Sequence, residues 1–225
     1  MKKVQKIIGI SFFSLLAFVF LMATIGDLTG IGNVIEAFKR FKDFWSIPLA
    51  WFLDVALCII VLVKATMIII GIAQNKETDA KTLVKKNCAL ISLYFLFSVL
   101  ESLFTFINGI QLIGRFDSAF AGDIVLIIFL AAGAVVAALA SKQENDLTLK
   151  ILGGVAYAIL LISIIISLAN GITGGFAIAI KIFLIFVTIL GVVHVMTYDI
   201  DMDKLFKKEA PAAVEEKKEE KSDAE

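Results

Sequence analysis

Apolar residues in this chain run on for whole helix lengths, and charged residues collect in the gaps between the runs. Crossing about 30 Å of hydrocarbon takes about 20 mostly apolar residues in a helix. Six stretches meet that test: Ile7–Ile25, Phe44–Ala73, Cys88–Ile113, Ala119–Ala140, Ile151–Ala169 and Phe176–Thr197. In lipid every backbone polar group must be satisfied within the segment, which leaves a helix as the form of each run. The pattern therefore predicts an all-α integral membrane protein, a bundle of six transmembrane helices. Pro48 falls near the start of the second span, where a missing N–H is best tolerated.

The connections orient the bundle. Lys2, Lys3 and Lys6 precede the first span, and Lys76, Lys81, Lys85 and Lys86 fill the second connection. Lys142 and Lys150 lie in the fourth, and six more lysines follow the last span, from Lys204 to Lys221. The remaining connections carry Lys39, Arg40, Lys42 and Arg115. The positive-inside rule then expects both termini in the cytoplasm, with the plasma membrane as the location. A rival reading takes Met1-Lys2-Lys3 and the first run as a secretory signal, but the run is long and no A-x-A-type site follows it.

Glycines recur where the chain turns on the lysine-poor side. Gly26 to Gly30, Asn108-Gly109 and Asn170 to Gly174 follow the first, third and fifth spans, as C-terminal helix caps would. Three helical hairpins in series, inserted with one polarity, are one explanation, and ordinary turn composition is the other. In the first of these connections Val34, Phe38, Phe41 and Trp45 recur at helical spacing among Glu36, Lys39, Arg40 and Lys42. That is the pattern of a short amphipathic helix lying in the interface, with Trp45 and Trp51 as aromatic anchors. Beyond residue 200 the pattern stops. From Glu209 to Glu225 the chain is mostly Ala, Glu and Lys, a composition that stays disordered and is open to a membrane or cytoplasmic protein partner. Asp199, Asp201 and Asp203 imitate the opening of a calcium loop. Lys204 stands where its glycine belongs, so the motif fails.

Composition removes several functions. Sixty per cent of the 225 residues are hydrophobic and the formal net charge is zero, so no basic footprint for nucleic acid exists. Cys58 falls mid-span and Cys88 at the start of the next span, too far apart in depth for a disulfide. Neither belongs to a C-x-x-C pair, and the one histidine, His194, reads as an interfacial residue of no special role. No metal site, cofactor or catalytic dyad is expected, and the loops are too short for a soluble catalytic domain. Gly133-x-x-x-Ala137, Ala134-x-x-x-Ala138 and Gly154-x-x-x-Ala158 offer close helix packing, which says little about oligomers.

What remains are ionisable residues inside the spans, which are costly there and so face a partner or water. Asp54 and Lys181 fall about 10–15 Å in from the lysine-poor end, and Glu101 lies slightly deeper, counting about 1.5 Å per residue. Lys64 sits near the opposite end, where its stem can snorkel. Tyr94, Ser98, Glu101, Thr105 and Asn108 follow spacings of four and three, which places a polar stripe on one face of the third span. The layer of Asp54, Glu101 and Lys181 is either a structural clip between helices or a site for a proton, cation or polar solute. The leading expectation is a structural or accessory membrane component that is not an enzyme. The alternative is a small transporter or channel built on the intramembrane carboxylate.

Overall fold

The computed structural model describes residues 3–40, 46–76, 79–113, 120–169 and 175–200. The described residues form seven α-helices and no strand: α1 (Lys3–Thr29), α2 (Ile31–Arg40), α3 (Ser46–Ala73), α4 (Ala80–Ile113), α5 (Ala121–Ser141), α6 (Asp146–Ala169) and α7 (Gly175–Thr197). All except α2 are long and apolar enough to cross a membrane. Their outward faces are apolar as well: Met67 is 66% exposed, and Ile128 and Val135 are each 60% exposed. Water would reject such faces along every long helix, so the class is a multi-pass helical membrane bundle. The charged tail and the calcium-like aspartates beyond Asp199, together with Phe41, Trp45 and the Asn170–Gly174 turn, lie outside the described residues.

The six long helices close into a ring in chain order. α1 packs against α3 and α7, α4 against α3 and α5, and α6 against α5 and α7. Each helix antiparallel to the one before it yields two ends, a lysine-rich end and a far end. The lysine-rich end is tied by polar contacts. Gln5 of α1 donates to the carbonyls of Tyr198 and Ile200, just past α7. Lys6 reaches Asn75 Oδ1 at 2.8 Å. Lys81 pairs with Asp146 at 2.7 Å, Lys85 with Glu144, and Lys150 with Asp199 at 2.7 Å.

Local chemistry sets the helix ends. Asp79 caps α4, accepting from the backbone N–H groups of Lys81 and Thr82. Asn145 caps α6 through the N–H of Thr148 at 3.0 Å. α3 ends in a Schellman turn: Asn75 adopts φ 55°, Lys76 N–H reaches the Gly71 carbonyl and Asn75 N–H that of Ile72. Pro48 lies in the first turn of α3, as expected. Of the glycines read as caps, Gly30 directly follows the last residue of α1, but two others do not end a helix. Gly26 and Gly109 lie inside α1 and α4, which run on to Thr29 and Ile113. They serve packing instead, since each faces an aromatic ring, Phe176 and Phe120 respectively.

Candidate functional site

The ring is packed solid at the lysine-rich end and hollow toward the far end. Phe12, Phe13, Ile72, Leu83, Val84, Phe95, Ala137, Ala140 and Leu149 are all fully buried in the solid half. Glycine lets large rings into the wall there: Phe95 lies on Gly133 and Tyr157 on Gly191. In the far half the order changes. After Ser98, α4 has no buried residue among those described, and α3 has none before Leu57.

The hollow is a cavity of about 740 Å³ to which all six long helices and Asn33 of α2 contribute. Its apolar lining includes Val19, Phe20, Leu57, Leu130, Ile164 and Leu184. Its polar lining is Asp27, Asn33, Asp54, Cys58, Tyr94, Ser98, Glu101, Ser102, Ser163, Ser167 and Lys181. The layer read from the sequence is thus brought together: Asp54, Glu101 and Lys181 line one chamber. From the stripe on α4, Tyr94 and Ser98 join them. Thr105 is exposed and Asn108 half-buried, and neither belongs to the lining. Lys64 is exposed on α3, away from the chamber.

A structural clip would need Lys181 in contact with a carboxylate. Among the described residues Lys181 makes no ion pair with Glu101 or Asp54 within 4.0 Å. It stands at electrostatic range of both instead. Three carboxyl groups therefore share the chamber with one ammonium.

Asp27 and Cys58 were missed as site residues by sequence reasoning. Asp27 was assigned to the turn after the first span, but α1 continues one more turn and carries it inside. Its place is fixed from α3, where the Trp51 indole N–H donates to the Asp27 carbonyl at 3.1 Å. Such a bond occupies a helix-end carbonyl that has no partner of its own. Trp51 is therefore a tie between α3 and the end of α1. Asp54 and Cys58 are i and i+4 on α3, hence on one face. The Cys58 thiol lies 3.9 Å from both Asp27 Oδ2 and Asp54 Oδ1. One donor atom from each of the three falls within 4.8 Å of the other two.

A second buried polar group occupies the solid half. Tyr157 O–H donates to Asn87 Oδ1, and Asn87 Nδ2 lies 3.3 Å from His194 Nδ1. All three side chains are buried, with the rings of Phe12 and Phe13 against His194. This corrects the expectation of an interfacial histidine. The packed N-terminal half of α1 covers that turn of α7, which hydropathy along α7 alone cannot reveal. None of the three lines the chamber, and their contacts tie α4, α6 and α7 together.

No protein-family model matches the chain, and no curated protein or solved structure does so either.

Proposed function

We propose that the protein is a carrier or channel of the plasma membrane that takes a small cation or cationic solute into the chamber, at the charged groups of α1, α3, α4 and α7. Both termini lie in the cytoplasm in this reading, from the lysine distribution, so the chamber belongs to the outer half and the solid half closes it from within. The observation that carries the reading is the composition of the chamber wall. Asp27, Asp54 and Glu101 face one lysine that clamps none of them. Ionisable carboxyl groups in a membrane interior are retained at a cost in insertion, which a purely structural bundle has no reason to bear three times. A chamber of about 740 Å³ is also within the range of small-molecule sites. Passage to the cytoplasm requires the glycine-backed rings of the solid half to part, as alternating access demands.

Reconstituted protein tests this. Wild type in liposomes is expected to carry monovalent cations or protons down a gradient. Glu101→Gln is expected to lower that flux about tenfold or more while leaving thermal stability in detergent equal or higher, as for a group kept for function. Unchanged flux in Glu101→Gln, or a clear loss of stability, restores the structural reading.

A further inference from the structure

The chamber wall holds a donor set that the carboxylates alone do not explain. Asp27, Asp54 and Cys58 converge from two helices, with the thiol 3.9 Å from an oxygen of each aspartate. As hydrogen bonds these are long for S–H donation. As ligand spacings they are close to right. A tetrahedral ion at about 2.3 Å from sulfur and about 2.0 Å from oxygen sets sulfur and oxygen about 3.5 Å apart. Rotation of the two aspartate side chains closes the difference of about 0.4 Å.

The helix geometry suits the purpose. Asp54 and Cys58 present two ligands one turn apart on α3, the i, i+4 arrangement common in helical metal sites. Asp27 supplies the third ligand from α1, held there by Trp51. An independent feature of the same chamber points to a polar guest. Ser163 on α6 is 3% exposed, and its hydroxyl has no hydrogen-bond partner among the described residues. A helical serine normally satisfies itself on the carbonyl four residues back. Ser163 does not, although it lines the chamber. Three protein ligands leave a fourth position open for water or a further oxygen, and the Ser163 hydroxyl is a further polar group of the same chamber wall.

We propose that Asp27, Asp54 and Cys58 form a binding site for a divalent transition-metal ion. The assignment deepens the reading of the chamber as a cation site and rests on it, and it revises the expectation from sequence that no metal site exists. Binding displaces the thiol proton to solvent as the sulfur–metal bond forms. The thiolate selects zinc, cobalt or iron(II) over magnesium and calcium, which prefer oxygen alone. Glu101 and Lys181, at electrostatic range of Asp54, tune the charge without ligating.

Titration of the purified full-length protein with Co²⁺ tests the site. Wild type is expected to develop thiolate-to-cobalt charge-transfer absorption that saturates at one ion per chain and survives excess Ca²⁺. Cys58→Ser should abolish the band, while Cys88→Ser, which alters the other cysteine, should leave it intact. Asp27→Asn, nearly isosteric, should weaken Co²⁺ binding tenfold or more, and thermal melting identifies any variant that has lost its fold. No saturable band in wild type, or a band indifferent to Cys58→Ser, overturns the proposal. If the band is absent but monovalent flux persists, the metal assignment falls and the carrier reading stands. If Co²⁺ binds at Cys58 but no cation is carried, the metal site stands and the carrier reading falls.

Discussion

The two halves of this bundle use the same six helices in opposite ways. Toward the lysine-rich end, aromatic rings sit on glycines, and the polar side chains within the core, Asn87, Tyr157 and His194, satisfy one another. Toward the far end, apolar and polar side chains together line a chamber, and its one lysine forms no ion pair with Asp54 or Glu101. Between lipid-facing helices packing and hydrogen bonds hold the structure, because there is no hydrophobic drive to associate. The solid half is therefore expected to hold the ring together, and the hollow half is free to carry groups that stability alone would remove. The contrast shows where polarity is structural and where it is available for chemistry.

The sharpest way to break this comparison is to add one methyl group in each half. A Cβ on Gly191 would run into the fully buried Tyr157 ring, which is held at its hydroxyl by Asn87. Gly191→Ala is expected to destabilise by roughly 2 kcal/mol, within the range for overpacking a tight interior. A Cβ on Gly26 would meet Phe176 as closely as 2.5 Å, but that ring is 44% exposed and free to swing out. Gly26→Ala is expected to remain below about 1 kcal/mol. Melting or denaturant unfolding of the two variants in one detergent decides it, and equal losses would mean that the far half is as tightly set as the other.

The next test compares polar groups. Asn87→Leu keeps the branching and the number of heavy atoms but strands the Tyr157 hydroxyl and His194 Nδ1 in a sealed site. A loss of roughly 1–2 kcal/mol is expected, between the intramembrane average and the usual cost of an unmade buried bond. Ser98→Ala, on the chamber wall one helix face away from lipid, should stay within about 0.5 kcal/mol. A larger loss at Ser98 than at Asn87 would reverse the assignment of structural and available polarity.

These contrasts also mark what could be read from residues alone. Span existence and depth follow from run length, so the expected limits agree with α1, α3, α4, α5, α6 and α7 to within a turn or two. Depth likewise brought Asp54, Glu101 and Lys181 to one level, and period brought Tyr94 and Ser98 to one face. Rotation of one helix about its axis relative to another leaves no such trace. For that reason the chamber positions of Cys58 and Ser163, the burial of His194 and the exposure of Thr105 were not legible, whereas Asp27 escaped because α1 runs a turn beyond the expected span. The amphipathic α2 was foreseen, beginning three residues earlier than its apolar spacing indicated, and its Asn33 at the chamber wall was not.

The smallest effect belongs to the charged rim at the lysine-rich end. Lys85 and the Thr82 hydroxyl hold the carboxyls of Glu144 and Asp79, respectively, below their ordinary values of 4.5 and 3.8. A carboxyl whose folded value is depressed adds stability above its unfolded value and loses it as pH falls through the folded one. The Glu144 side chain is 85% exposed, so water and salt screen most of what the pair could contribute. Glu144→Gln should therefore melt only slightly below wild type at pH 6, and the gap should vanish as pH drops below 4.5 and Glu144 protonates. It should also shrink in high salt. A large, salt-resistant gap would mean that ion pairs rather than glycine-backed packing close this end, and the contrast between the halves would then rest on charge.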